Sequence, residues 1–531
     1  MASFGLTSLR EKLPSHLRER SVSLEFRRAV IGLLLVVPLF ALIIASGSLY
    51  FYPELALGVG FLLGFAVRRW SRCREGWLLV SVFLGAALFQ NLFLGIFLGY
   101  TNLENPFAVL VLVELKTMLL YGGAFLLTIV NFRRRKGSLI DVMGGKAGSF
   151  FVSWMLLSLL FSPAGWFSKV AYLRNYLAAF AGWQLGRLCV RRVLDFDRSV
   201  GIFLAMGVFV TFFSLVELCQ PNIWKDQLHL GLMTALKGPV ADLTDFFGLV
   251  VHRLFTAVGT PINAAFILGF MLLFAWSLKW RVLSLALLGE LLLTFAKSGM
   301  LAALVGGAVL FSVRRRVRFE TFRRHALYGV LAALLLVVFY LRYLGVSLSG
   351  ITSEIHANTA VGHVVGLVVS VQDVFRYPFG RGLGVGGNWT SVGKLVGFEA
   401  RTTRSPIAYL FHGSESDIGA VLYQLGIVGL AAFLVWCGMR FRELLAVYNG
   451  LRVSFPIHAR LALAALGGCL GVLIASLFTE AAYSPQVSGV VFTLGGLASG
   501  LGSVAGIGRA PGKAPASSVN NAPMPGNKEE P

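Results

Sequence analysis

Apolar runs of about 20 residues, separated by short polar and basic clusters, recur along the whole chain. The runs are continuous rather than alternating, so each predicts a helix. Their length matches a hydrocarbon core of about 30 Å. The candidate spans are 29–50, 54–67, 77–100, 107–130, 149–161, 171–190, 201–219, 261–278, 282–296, 300–311, 326–343, 420–439, 461–478 and 487–504. Of these, 54–67, 149–161 and 282–296 are short, so the pattern predicts about 12–14 transmembrane helices. Lipid offers the backbone no hydrogen-bond partner, which leaves only helices or closed barrels as spans. The expected fold is an all-α polytopic integral membrane protein with a large extracytoplasmic loop.

The basic residues orient it. If the N-terminus is cytoplasmic and each span alternates, 34 of the 47 Lys and Arg residues fall on the inner side, in clusters such as Arg68–Arg74, Arg133–Lys136 and Arg314–Arg324. This arrangement gives a basic cytoplasmic segment 1–28, a transmembrane domain 29–508 and a cytoplasmic tail 509–531. Both termini are then cytoplasmic. The tail is rich in Pro, Ala, Asn and Gly and predicts disorder. Two long segments, 220–260 and 344–419, fall outside.

Composition narrows the classes. The chain is 56% hydrophobic and only 14% charged, with a mean hydropathy of +0.75, too apolar for a soluble surface. The net charge of +22 is accounted for by the inner clusters, so no nucleic-acid partner is needed. Cys73, Cys189, Cys219, Cys437 and Cys469 share no metal-like spacing, and neither a metal site nor a disulfide framework is expected. The first 28 residues are basic and polar and the first apolar run is span-length, so no cleavable signal peptide is expected.

Ionisable groups in or outside the spans carry the chemistry. Lys297, in Leu293-Thr-Phe-Ala-Lys-Ser-Gly299, and Arg174, in Tyr172-Leu-Arg-Asn-Tyr176, either snorkel to the head groups or face a cavity. Lys116, two residues from Glu114, has no assigned role. Arg253-Leu-Phe-Thr-Ala-Val-Gly-Thr-Pro-Ile-Asn263 reads as a loop-to-helix junction, or as an arginine held at the mouth of a cavity. The glycine-rich segment from Arg376 to Asn388, with Arg381, lacks the Gly-Lys-Ser/Thr ending of a nucleotide loop and lies where no ATP is present. His412-Gly-Ser-Glu-Ser-Asp417 leads into a span, where Glu415 and Asp417 either cap the helix or act on a substrate.

In that order, these segments resemble the O-antigen ligase and O-antigen polymerase superfamily over about 253–430. Arg253 to Asn263 looks like the family's Arg, Gly and Pro/Asn start of a span. Leu293 to Gly299 looks like its Leu-Thr-x-Ser-Arg-Gly element, with Lys297 in the arginine position. Gly362-His363, then Tyr377-Pro-Phe-Gly-Arg-Gly-Leu-Gly384, looks like the glycine-rich part of its periplasmic loop. Glu415-Ser, then Gly426-Ile-Val-Gly429, looks like the start of the next span. Ligases of this family carry a His eleven residues before that glycine. Here the position is Glu415, with His412 one turn earlier, which is closer to the polymerase branch.

The resemblance implies a metal-independent, cofactor-free glycosyltransferase of the bacterial inner membrane, serving O-antigen, capsule or exopolysaccharide. Its substrate would be an undecaprenyl-diphosphate-linked oligosaccharide in membrane lipid, and a chain-length regulator protein is a further partner. Arg253, Lys297, Arg174, Arg376 and Arg381 would bind the diphosphate. Glu415 would take the acceptor proton, with His412 or His363 as second choice. The alternatives are an O-antigen ligase acting on lipid A-core, and a flippase or other transporter. Transporters concentrate their charge and broken helices near the midplane, whereas here the polar groups gather in the outer loops.

Overall fold

A computed structural model describes residues 22, 24–28, 76–100, 106–135, 145–221, 223, 228, 243–246, 249–314, 367, 370–385, 416–479 and 484–507. The described elements are α1 Trp77–Tyr100, α2 Pro106–Arg135, α3 Lys146–Phe161, α4 Trp166–Cys189, α5 Val193–Cys219, β1 Leu243–Phe246, β2 Leu249–His252, α6 Pro261–Ser277, α7 Arg281–Leu293, α8 Lys297–Arg314, α9 Asp417–Leu451, α10 Pro456–Ala475 and α11 Val487–Val504. The expected spans 29–50, 54–67 and 326–343 lie outside the described residues. The architecture is that of an all-α membrane protein with one small addition. Segment 220–260, expected as a plain loop, contains an antiparallel hairpin in which Leu243 pairs with His252 and Phe246 with Leu249. The β-branched pair Val250-Val251 suits it to a strand.

Among the described residues α5, α9, α10 and α11 are long and apolar enough to cross a membrane, and shorter apolar helices accompany them. Their outward faces remain apolar: Phe161 is 79% exposed and Leu304 71%. A soluble protein would not present such a surface over so many helices.

Small residues set how the helices meet. Lipid tails are as apolar as leucine, so association in a bilayer relies on close van der Waals contact. Along α4 and α11, Gly182 lies against Gly489, Gly186 against Thr493, and Gly500 against the carbonyl of Arg187. Residue numbers rise together in this seam, so the two helices run parallel. Likewise α6 and α8 are parallel, with Gly299 on Ala265 and Gly269 on Ala303. By contrast, α8 and α10 are antiparallel, with Gly306 against Gly467 and Gly471 against Ala302. These relative directions are the ones strict alternation of the spans requires. Between α3, α4 and α9 the core is aromatic: Phe180 stacks on Trp436 at 3.9 Å, and Phe151 packs on Phe180 and Phe433.

One end of this packing is held by charged pairs. Asp195 accepts the N–H groups of Arg191 and Arg192 at the start of α5, and buried His458 on α10 meets Asp197 at 2.8 Å. The opposite end carries the candidate site.

Candidate functional site

Two junctions are built at that end. The first joins Arg253–Asn263 to Leu293–Gly299. The helical run breaks after α7, where Phe295 takes a left-handed φ of 49°. Thr294 closes the break: its Oγ1 donates to the Leu291 carbonyl at 2.7 Å and accepts the Ala296 N–H at 3.3 Å. Arg253 Nε donates to the Thr294 carbonyl at 3.1 Å, and Leu254 N–H to the Leu293 carbonyl at 3.0 Å.

The turn that follows Arg253 is held from below. Each oxygen of the Glu217 carboxylate, at the end of α5, accepts one N–H at 2.7 Å, from Phe255 and Thr256. Thr256 has a φ of 56°, unusual for a β-branched residue, and the turn persists because its donors are satisfied this way. Asn91 on α1 donates to the Val258 carbonyl at 2.7 Å. Asn263 donates to Gln486, and Gln486 to the Ala87 carbonyl, at 2.9 and 2.7 Å. The end of α7, Glu217 of α5 and Asn91 of α1 thus fix the backbone beside half-buried Arg253, while Lys297 is exposed as the first residue of α8.

The second junction docks the glycine-rich loop on a kink. Gly426 interrupts α9 with φ 68° and ψ −171°. A kink frees carbonyls of the preceding turn, and each has a new donor. Tyr423 O accepts from Arg381 N and Gln424 O from Gly382 N, both at 3.0 Å, and Leu425 O accepts from Trp154 Nε1 at 2.9 Å. In return, Ile427 N donates to Pro378 O at 3.0 Å. Backbones this close leave no room for a Cβ at Gly426, which would collide with the Pro378 carbonyl. The far side of the loop is held by Ser162 and Ser168, whose hydroxyls donate to Leu383 O and Gly384 O at 2.7 Å.

Arg381 locks the loop internally. Its Nε and Nη2 donate to the two oxygens of buried Asp373, each at 2.6 Å, and its guanidinium lies 3.9 Å from the Tyr377 ring centre. The bond to Asp373 raises the guanidinium pKa above the ordinary arginine value. Two of the five N–H donors of the guanidinium are thus tied into the loop. Arg376, five residues earlier, is exposed beside exposed Phe375 and Phe379.

The two junctions share one end of the packing. Lys297 opens α8, and α10 runs antiparallel to α8, so the C-terminus of α10 lies at that end. There Asp417 N and Ile418 N, at the start of α9, donate to Thr479 O and Ser476 O at 3.1 Å. The start of α9 is capped by Ser416, whose Oγ accepts the Gly419 N–H at 3.0 Å. Arg174 stands on α4, six residues after the loop-binding Ser168. It is half-buried, with Nε 3.3 Å from Asn175 Oδ1 and its carbonyl accepting the Tyr121 hydroxyl. Lys116 donates to Gln90 at 3.2 Å. Glu415, His412 and His363 lie outside the described residues.

Sequence reasoning missed Glu217, Gln486, Asp373, Ser162 after α3 and Ser168 of α4. Glu217 did leave a signal: a carboxylate inside an apolar run is costly in lipid unless partnered. Compared with models of known protein families and with curated proteins, the chain matches none.

Proposed function

We propose that the protein is a membrane glycan polymerase, transferring a glycan from a polyprenyl-diphosphate carrier to a sugar hydroxyl at the outer face of a bacterial inner membrane. One observation carries this reading. The four segments that resemble the O-antigen polymerase and ligase superfamily pair off, the first docking on the second and the glycine-rich third on the fourth, with both pairs at one end of the helices. Segments far apart in sequence are thereby paired, with Arg253 and Lys297 in the first pair and Arg376 beside the glycine-rich stretch of the second.

In the reaction the acceptor oxygen forms a bond to the anomeric carbon, the carbon–oxygen bond to the diphosphate breaks, and the hydroxyl proton leaves to a base. Negative charge collects on the leaving diphosphate, and fixed cations stabilise it in the transition state. Arg253, Lys297, Arg174 and Arg376 serve that role, with Arg381 shaping the loop. Glu415 takes the proton, with His412 or His363 as the alternative.

The test is the length distribution of lipid-linked and surface glycan after gene deletion, with wild-type and Glu415→Gln chains returned separately. Collapse of the ladder to single repeats, rescued by wild type alone, supports the polymerase. Full-length polymer left on its carrier would identify a ligase instead. Repeat units trapped on the cytoplasmic side would identify a flippase.

A further inference from the structure

A second buried carboxyl lies apart from this chemistry. Glu290 is 6% exposed on α7, one turn before the Thr294 break. Its Oε2 is 3.1 Å from Ser214 Oγ on α5. Thr211 lies three residues before Ser214 on the same face of α5 and stands beside the carboxyl. Neither Glu290 Oε1 nor Thr211 Oγ1 has a well-formed hydrogen bond, and both are buried.

Ser214 Oγ has one hydrogen, and the Val210 carbonyl one turn back is its nearer acceptor, at 2.9 Å. If that carbonyl takes the hydrogen, the contact with Glu290 Oε2 needs a hydrogen from the carboxyl itself. Beside an ionised carboxylate the described residues place two hydroxyls, Ser214 and Thr211, and no charged side chain. Helix α6 has no ionisable side chain. Helix α8 has Lys297 and Arg314 at its two ends, and α7 has Arg281 at its start. On α5, Asp195, Asp197 and Arg198 lie at the far end, Cys219 closes the helix, and Glu217 gives both oxygens to backbone N–H groups. Among the described residues none forms an ion pair with Glu290. Burying an unpaired charge here would be costly.

We propose that Glu290, Ser214 and Thr211 form an intramembrane proton-binding site between α5 and α7, with the carboxyl holding the proton in the packed state. Release of that proton leaves a buried charge with no counter-charge beside it, so it is tied to opening of the seam and admission of water. The site is independent of the glycan reading.

The test uses the full-length protein in detergent micelles at neutral pH, treated with dicyclohexylcarbodiimide, an apolar reagent for protonated carboxyls. The carboxyl oxygen bonds to the central carbodiimide carbon and its proton passes to a carbodiimide nitrogen. The adduct then rearranges to a stable acylurea and nothing leaves. Peptide mass mapping is expected to find one reagent on Glu290 and none on Glu217, at equal rates in sodium and choline chloride. Glu290→Gln is expected to lose the adduct. An unreactive Glu290, or equal labelling of Glu217, overturns the proposal. Protection by sodium and not by choline also overturns it, and marks a metal-cation site instead. Because the wild-type labelling is decisive by itself, a misfolded variant leaves the test intact.

Discussion

Arg253 Nε donates to the main-chain carbonyl of Thr294 from 3.1 Å, so an arginine before α6 is fixed to the break between α7 and α8. The bond uses one of the guanidinium's five N–H donors. Arg253→Ala is expected to lower stability by about 1.5–3 kcal/mol, the net value of a hydrogen bond from a charged group, and to abolish glycan polymer. Arg253→Lys should keep the charge and restore part of it. A normal ladder from the alanine variant would reduce Arg253 to an anchor.

Glu217 supplies both acceptors for the turn at Phe255–Thr256. Glu217→Ala strands two buried N–H groups, at about 1–3 kcal/mol each. Thermal unfolding of the solubilised protein should show a clear drop in midpoint. Glu217→Gln, which keeps one acceptor oxygen, should fall between the two.

Gly426→Ala places a Cβ against the Pro378 carbonyl at a left-handed φ of 68°. With ψ at −171° the conformation is essentially open to glycine alone and costs roughly 1–3 kcal/mol, and the collision adds to it. The expected result is release of segment 370–385, read as new cleavage by a protease added outside. Gly438→Ala, on the same helix where a Cβ would meet nothing within 4 Å, should leave the pattern unchanged.

Asp373→Asn removes the charge that holds Arg381 and should weaken loop docking by about 1.5–3 kcal/mol, as for hydrogen bonds to charged groups. Because the bond to Asp373 raises the folded-state value for Arg381, its contribution is complete below the unfolded arginine value and is lost only as pH rises beyond it. Protease protection of the loop should therefore not vary with the arginine's ionisation across neutral pH.

Hydropathy located the described helices because their apolar runs are long, and for Trp77–Tyr100 and Val487–Val504 it found both ends. It missed the ends where a helix continues into charge. Helix α5 begins at Val193 rather than 201 because Asp195 caps it and Asp197 pairs with His458. Helix α9 runs on to Leu451 because Arg440 and Glu443 pair along it at 2.6 Å. In the candidate site, the segments were legible as motifs while their pairing was not. Arg253 meets a carbonyl, which any residue could offer, and Arg381 meets a carboxylate across a glycine turn. Neither contact leaves a periodic trace. Gly426 stood out as a motif residue, but its positive φ shows only in the backbone.

The parallel seam of α4 and α11 joins residues about 300 positions apart, as Gly182 and Gly489 show. At about 5–20 residues per second of synthesis, α4 waits roughly 15–60 s for its partner. Its small-residue face must meanwhile be sheltered by lipid, by neighbouring helices or by the insertion machinery. Closing of this seam is therefore timed by α11, and a ribosome stalled before α11 leaves α4 in place with that face still lacking its partner.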